Sequence, residues 1–329
     1  MLTQNRVLLP IIALLVYLGP ETLGGGGSVY AAFVLIAIFA VMAYGLDMIV
    51  SDLGEVSLAH TVFFATGGYA TSLLSTQLAL NAWLTLACSV AVAMTLALLI
   101  GLITLRLREF VFSLVTYAVT VVAMTIAANW SFLGGSDGVR GIPTLDLSLL
   151  GMTLKAGNDR ELWPYAFVAL VITIYLIQRF RASRLGAAAI MVHLNPRLAI
   201  MSGIDPARVR LQVFVFSAAI SSVAGWLYAY QRAYVSADLL DNYFLLLMLT
   251  AVVLVGKRQF LGPLAATALI LVQEKFLSFG GYNDKIVLGG VLIMTLALFP
   301  RGLMTIPAAI LAWASSLGCQ RTVTIDAPV

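Results

Sequence analysis

The longest stretch of this chain without a formal charge covers residues 61–105. Roughly 45 residues are too many for one membrane crossing, because a helix rises about 1.5 Å per residue and the hydrocarbon core is about 30 Å thick. Gln77 and Asn81 mark a polar turn inside the stretch. The pattern therefore predicts two consecutive membrane helices, 57–75 and 83–105.

The rest of the chain repeats this alternation of apolar runs and short polar breaks. Its 329 residues are 61% hydrophobic and 10% charged, with a mean hydropathy of +1.00, whereas soluble domains carry about a quarter charged residues. We predict an all-α, polytopic transmembrane helix bundle over residues 1–303 and an interfacial or cytoplasmic tail, 304–329. Eight to ten crossings are compatible with the run lengths. The preferred assignment is ten, at 7–18, 29–50, 57–75, 83–105, 110–132, 163–178, 211–230, 239–255, 263–279 and 286–299.

The positions of the basic residues predict the orientation of the bundle. Short loops rich in Lys and Arg stay in the cytoplasm. Ten crossings with both termini in the cytoplasm leave loops 133–161 and 232–241 outside and place the main basic clusters inside. Those clusters are Arg6, Arg106, Arg108, the arginines of 179–210, Lys257, Arg258 and Arg301. Orientation thus explains the net charge of +4, and we expect membrane lipid around the chain and no nucleic-acid partner.

Residues 180–211 form the only long polar interruption in the second half of the chain. They include five arginines and a single acid, Asp205. Their order predicts a short helix over 184–194, a second helical turn that starts at Pro196, and a stop at Gly203. A small folded element on the cytoplasmic face of a membrane bundle is where a soluble partner would dock.

A cluster of ionisable residues lies where the third span begins. Asp47 stands near the end of the second apolar run, and Glu55, Ser57 and His60 follow within SDLGEVSLAH, residues 51–60. Ionisable groups at the edge of a span are costly and often line a water-filled path, which predicts a substrate path or gate. The alternative is structural, with Ser57 as an N-cap and His60 as an interfacial histidine. Both interpretations stay open.

Glycines are concentrated in two further places. Residues 134–143 read GGSDGVRGIP, and four glycines closed by a proline are more than an ordinary turn needs. A docking or gating role of this external loop would involve Gly134, Gly135, Asp137, Gly138, Gly141 and Pro143; a plain surface turn is the alternative. Gly67 and Gly68 lie inside a predicted span, where small residues allow close helix packing.

The sequence carries no recognisable cofactor or catalytic motif. Cys88 lies in an apolar run and Cys319 in the polar tail, so the two are expected at different depths. No spacing of cysteines and histidines fits a metal site. The corner at 256–257 fails the phosphate-loop pattern, since residue 251 is alanine. We expect no cofactor or metal on this chain and no enzymatic activity, so transport driven by ATP would need ATP on another chain.

Six stretches follow one another in an order and spacing that are specific, although each is weak alone. They lie at 54–64 (GEVSLAHTVFF), 134–143, 186–205, 216–229, 262–263 and 300–303. In these stretches the chain resembles the permease subunits of bacterial branched-chain amino-acid ABC importers, the hydrophobic amino-acid uptake family. The resemblance covers most of the chain.

The resemblance implies a permease that works with a second, homologous permease subunit, two ATP-binding cassette subunits and a periplasmic or extracellular solute-binding protein. It implies a multi-pass protein of the bacterial inner membrane and alternating access driven by ATP on the partner subunits. Segment 180–211 would then seat on an ATPase. The residues that the resemblance assigns to this coupling are Arg184, Gly186, Asn195, Pro196, Ala199, Gly203, Ile204 and Asp205.

The chain also departs from the usual family pattern. Where the family commonly carries a charged run in the coupling segment, residues 190–195 read IMVHLN, and Glu55 stands where an amide is common. These departures indicate a divergent member with a dedicated ATPase. Branched-chain amino acids are the first candidate solutes, with urea, short amides and small carboxylates as alternatives. An alternative from another class of protein is a self-sufficient secondary transporter or channel that uses Asp47, Glu55 and His60 as an ion path.

Overall fold

The structure is a computed structural model that describes residues 5–104, 109–148, 154–256 and 258–276, together with positions 286, 290, 293 and 294. Within these residues the chain is a helix bundle with short strands at one end. The helices are α1 (Asn5–Thr22), α2 (Gly27–Asp47), α3 (His60–Gln77), α4 (Ala82–Thr104), α5 (Glu109–Asn129), α6 (Asp159–Arg181), α7 (Arg184–Leu194), α8 (Pro196–Met201), α9 (Pro206–Arg232), α10 (Asn242–Val255) and α11 (Gly262–Phe276).

Shorter elements connect these helices. A π-helix, Met48–Leu53, continues α2 without a break. The strands are β1 (Val139–Arg140), β2 (Leu145–Asp146), β3 (Lys155–Ala156) and β4 (Tyr234–Val235). Single 3₁₀ turns occur at Ser131–Leu133, Gly135–Asp137 and Ala237–Leu240.

The predicted helical bundle is confirmed, and each of the first nine predicted spans overlaps a helix of the structure. Among the described residues, five helical stretches are long and apolar enough to cross a membrane by length and composition: Gly27–Leu53, Ala82–Thr104, Phe110–Asn129, Asp159–Arg181 and Pro206–Arg232. Apart from isolated positions, the tenth predicted span, 286–299, and the tail, 304–329, lie outside the described residues.

Helix α2 forms the centre of the bundle. Its residues from 37 onward are all buried, as is the π-helix that continues it. It packs against α6, α9, α10 and α11, as expected for a helix that is apolar on every side. By contrast, α4 and α5 expose large apolar side chains, among them Leu99, Ile103 and Val122. Exposed faces of this kind fit a lipid environment, since lipid tails are as apolar as leucine.

Small residues let α2, α3 and α9 approach one another closely. A Cβ atom on Gly225 of α9 would overlap the carbonyl oxygen of Phe64, and one on Gly67 of α3 would overlap that of Ser222. Gly45 of α2 lies in the same way against Ser221. The predicted packing role of Gly67 is therefore confirmed.

The loops divide into two sets at opposite ends of the bundle. Antiparallel pairing of β1 with β4 joins loop 133–161 to turn 232–241, so the prediction that these two loops share one side is confirmed. A second pair, β2 with β3, lies within the same loop. We call this the strand end. At the other end, which we call the arginine end, three arginines meet the C-terminal end of α2.

We predict that Gly225→Ala destabilises the protein while Gly27→Ala does not. The new methyl group at position 225 would overlap the carbonyl of Phe64, and overpacking of this kind costs about 1–3 kcal/mol. Gly27 is also helical, but nothing lies within 4 Å of its Cβ position. Thermal unfolding in detergent, followed by size-exclusion chromatography, compares the two variants. Equal melting temperatures would contradict the close approach of α3 and α9.

Candidate functional site

Residues 180–211, which we call the coupling segment, are shaped by side-chain caps. α7 begins after Ser183, whose Oγ accepts the N–H of Gly186 at 3.2 Å. α8 begins after Asn195, whose Oδ1 accepts two N–H groups of the first helical turn at 3.1 Å each. Pro196 occupies the first turn of α8, where its missing N–H is no loss. The predicted helix 184–194 and the predicted second turn are both confirmed.

The end of the coupling segment is equally well defined. Gly203 has a φ of +79° and follows the last turn of α8. Ala199 is fully buried, and its carbonyl accepts the N–H of Ile204 at 2.9 Å. Asp205 then caps α9 by accepting the N–H of Ala207 at 3.0 Å. The predicted stop at Gly203 is confirmed, while the role of these residues in coupling stays a prediction.

The outward face of α7 and α8 is apolar and basic. Leu194 is 75% exposed and Met201 is 86% exposed, with Leu198 and Ile200 also exposed beside them. Arg197 is exposed on the same short helix. This face belongs to the arginine end of the bundle. Exposed apolar patches next to polar residues are typical of protein–protein interfaces.

Two buried carboxylates at the end of α2 share one arginine. Arg181 Nη2 lies 2.7 Å from Asp47 Oδ2, and Arg181 Nε lies 3.0 Å from Asp52 Oδ2. Asp47 also accepts the hydroxyl of Ser51. The side chains of Asp47 and Asp52 are 2% and 1% exposed. Because an unpaired buried charge costs several kcal/mol, Arg181 stabilises both carboxylates.

Two more arginines complete the network. Arg258 Nε lies 3.5 Å from Asp52 Oδ1, and the backbone N–H of Arg258 donates to Ser51 Oγ at 3.0 Å. Arg210 Nε lies 3.1 Å from Glu55 Oε1, whose side chain is 4% exposed. The network therefore joins three parts of the chain to the end of α2: the end of α6, the start of α9 and the corner between α10 and α11.

Gly54 is the point where α7 meets this turn. It ends the π-helix with a φ of +71°. A Cβ atom there would overlap the imidazole of His193, so the ring lies directly on the backbone between Asp52 and Glu55. His193 belongs to the IMVHLN run in which this chain departs from the usual family pattern. The coupling segment thus contacts the end of α2 by close packing as well as by ion pairs.

Ser57 and His60 are fully buried, and Ser57 does not have the capping role that the structural interpretation of the sequence gave it. The N-cap of α3 is Ala59, without a side-chain hydrogen bond, so the prediction that Ser57 is an N-cap is wrong. Ser57 lies two residues before the N-cap, and its Oγ accepts the N–H of Ala59 at 3.4 Å. His60 is fully buried beside Phe63, and its Nε2 lies 3.1 Å from Ser217 Oγ. A path or gate role for Asp47 and these residues stays a prediction.

The glycine loop at 134–143 folds tightly on itself at the strand end. Gly134 and Gly138 have φ values of +82° and +66°, a region that glycine enters without steric cost. A Cβ atom on Gly134 would overlap the backbone of Gly138, and one on Gly138 would lie 2.5 Å from the carbonyl oxygen of Val235. These glycines therefore allow the loop to lie against β4. Its docking or gating role stays a prediction.

Sequence reasoning named Asp47 and Glu55 but missed the residues that bind them. Asp47 and Arg181 are 134 positions apart, and no local pattern reports a partner at that distance. The only available signal was that Arg181, Arg210 and Arg258 stand at the ends of apolar runs, as the carboxylates do. A set of opposite charges at matching depths of a bundle is expected to pair.

The fold and the site first define a class, a polytopic, all-α membrane protein with a folded basic segment at one end. Residues 28–296 match the family described as "Branched-chain amino acid transport system / permease component". The match covers most of the chain, so the chain belongs to this family and the resemblance is confirmed. It is a permease component of a branched-chain amino acid transport system and a multi-pass protein of the inner membrane.

Two relatives illustrate the distance within the family. The high-affinity branched-chain amino acid transport system permease protein LivM of Salmonella typhimurium is 27% identical over 288 residues, which cover 81% of this chain and 68% of the relative. LivM of Escherichia coli strain K12 is 28% identical over 291 residues, which cover 82% and 68%. No solved structure matches this chain.

We predict that Arg181→Met strongly destabilises the protein and that Arg208→Met does not. Removing Arg181 leaves two buried carboxylates without their shared cation, and breaking a buried pair costs about 3–5 kcal/mol. Arg208 Nε lies 3.1 Å from Asp205 Oδ2, but these side chains are 83% and 49% exposed, and exposed pairs contribute about 0–1 kcal/mol. Thermal unfolding in lipid nanodiscs measures the stability of both variants. Equal stability of the two variants would refute the buried network.

We predict that Gly54→Ala loosens α7 while Gly203→Ala leaves it in place. Both glycines have positive φ, so alanine adds about 1–2 kcal/mol of backbone strain at either position. Only at Gly54 would the methyl group displace a neighbour, His193; nothing lies within 4 Å of the Cβ position of Gly203. Limited proteolysis at 184–201 measures the loosening.

Two results decide this test. Adding His193→Ala to Gly54→Ala removes the overlap and should restore most of the protection. If Gly203→Ala exposes the segment as much as Gly54→Ala does, backbone strain alone explains the effect and the close approach of His193 to Gly54 is contradicted.

Proposed function

We propose that this chain is one of two permease subunits of an ATP-driven importer for branched-chain amino acids. Its partners are a second, homologous permease, two ATP-binding cassette subunits that bind and hydrolyse ATP, and an external solute-binding protein. The observation that carries the proposal is the buried ion-pair network, which links the coupling segment to the central helix α2.

The ATPase docks on the outward face of α7 and α8. The exposed side chains of Leu194, Leu198 and Met201 provide apolar area for such an interface, and Arg184 and Arg197 are exposed beside them. The capped ends of both helices keep this face in one shape, which reduces the ordering cost of binding.

Motion of the docked segment reaches α2 through two kinds of contact. The ion pairs of Arg181 and Arg210 resist separation, because pulling either apart would leave a buried carboxylate unpaired. The His193 ring on Gly54 resists compression. The end of α2 is therefore held by ion pairs at both ends of the coupling segment and by the His193 contact of α7, so it follows the segment as a coupling element requires.

Alternating access follows from a bundle with two packings of similar free energy. Because α2, α3 and α9 are in contact at Gly45, Gly67 and Gly225, movement of α2 carries the other two helices with it. At the strand end, loop 134–143 lies against β4 and faces the external binding protein. Opening and closing at this end is the function we assign to that glycine loop.

The geometry disfavours a self-sufficient secondary transporter. Such a protein would use Asp47, Glu55 and His60 as an ion path, but Asp47 and Glu55 are each held by an arginine at 2.7 and 3.1 Å. A carboxylate that is paired with an arginine is a poor site for a transported cation. Both relatives are named for branched-chain amino acids, and neither is named for urea, amides or small carboxylates.

We predict that Leu194→Glu abolishes ATP-dependent leucine uptake and the co-purification of the ATPase subunits, without unfolding the chain. Leu194 is 75% exposed on the docking face, so the carboxylate is solvated in the free chain and desolvated in the complex. Uptake in proteoliposomes, pull-down and thermal unfolding are measured together.

Leu78→Glu is the matched control for this test. Leu78 is 63% exposed at the strand end, where no ATPase docks under the proposal. Loss of ATPase binding in both variants, or in neither, would contradict docking on α7 and α8.

A further inference from the structure

A cavity of about 570 Å³ lies at the strand end, between α2, α9, α10 and α11. One face of α2, with Ser28, Ala32, Leu35 and Phe39, forms one wall. This volume falls within the range of about 300–1,000 Å³ that is usual for small-molecule sites. The position is on the side from which an imported solute arrives.

The inner end of the cavity is aromatic. The rings of Phe39, Tyr228 and Phe244 lie with centroids 5.7 to 6.2 Å apart. Phe39 is 4% exposed, so this end of the cavity continues the buried core around α2. Rings fixed by one another in this way offer a rigid apolar surface for an aliphatic side chain.

The outer end of the cavity is cationic. Arg232 stands at the C-terminal end of α9, and its Cζ lies 5.8 Å from the centroid of the Tyr228 ring. A guanidinium on a ring face keeps its N–H donors in its own plane, where a carboxylate binds them in pairs. The N-terminal turns of α2 and α10 border the same cavity through Ser28 and Tyr243. Helix N-termini carry partial positive charge, so they add to the attraction for an anion.

A second cavity provides a contrast. It measures about 280 Å³ and lies between α1, α6 and α11, with Val16, Leu170, Ile174 and Leu264 among its lining residues. None of its described lining residues is an arginine. Its surface suits an acyl chain, whereas the larger cavity combines an apolar end with a cationic one, as recognition of an amphipathic carboxylate requires.

We propose that the cavity at Arg232 is the outer binding site for the transported solute. Arg232 binds the carboxylate of a small amino acid, and the rings of Phe39, Tyr228 and Phe244 contact its branched aliphatic side chain. This inference rests on the proposed function, because it assigns a place in this chain to the solute of that importer.

The test is radiolabelled leucine binding to the complete permease–ATPase complex in nanodiscs, without the solute-binding protein, and with unlabelled leucine or leucinamide as competitor. Leucinamide lacks the carboxylate. For the unaltered complex we expect leucine to compete about tenfold better than leucinamide, since hydrogen bonds to a charged group contribute at least that factor. Arg232→Met should lower leucine affinity about tenfold and remove the difference between the two competitors.

Arg160→Met is the matched control. Arg160 also lies at the strand end, with its Cζ 5.7 Å from the ring of Tyr30, but it does not line the cavity. It should bind leucine as the unaltered complex does. Ala32→Leu fills the cavity and leaves Arg232 intact, so it should weaken the binding of both competitors equally. If Arg232→Met does not fold, the Ala32→Leu variant alone tests the site.

The outcomes separate this inference from the proposed function. Unchanged leucine binding in Arg232→Met and Ala32→Leu overturns the site, even if the complete importer with its binding protein takes up leucine. Binding that depends on Arg232, in a complex that shows no ATP-driven uptake, supports the site and overturns the proposed function. If anionic phospholipid displaces the bound leucine and free amino acids do not, the cavity is a lipid site and the inference is overturned.

Discussion

The rest of the structure depends on the pairing of three buried carboxylates at the end of α2 with arginines from other parts of the chain. Asp47, Asp52 and Glu55 are almost fully buried, and none would be stable there alone. Arg181 binds two of them and Arg210 the third. Because hydrophobic burial does not drive helices together in lipid, charge pairing and close packing fix where the coupling segment lies.

Under the proposed function, this pairing gives the central helix a mechanical role. α2 is in close contact with α9 through Gly45, and α9 is in close contact with α3 through Gly67 and Gly225. The π-helix at the end of α2 carries Asp52, between the other two paired acids, Asp47 and Glu55. An element that moves the coupling segment therefore moves the core of the bundle, and not only its surface. At the opposite end the contacts are different in kind: short strands join the loops, and an aromatic cavity lies beside Arg232. The two ends are thus held by different kinds of contact, and the central helix α2 connects them.

Local chemistry made much of this fold predictable. A membrane helix satisfies its own backbone, so the apolar runs located the long helices, and Pro196 and Gly203 located the short ones. The contacts that the sequence did not predict all join residues that are far apart in the chain. Nothing near Asp47 indicates Arg181, nothing near Gly54 indicates His193, and the pairing of β1 with β4 joins residues almost a hundred positions apart. The failed N-cap at Ser57 has the same origin, since the non-helical turn after Gly54 is held by contacts with distant elements.

The central claim is that the coupling segment and the end of α2 move together. Hydrogen exchange measured by mass spectrometry on the complete complex, with and without trapped ATP, tests it most directly. We predict that ATP changes the exchange rates of 184–201 and of 48–55 together, because the His193 contact joins the two stretches and the ion pairs of Arg181 and Arg210 hold the flanks of 184–201 to 48–55. A change confined to 184–201, with 48–55 exchanging at the same rate in both states, would contradict it.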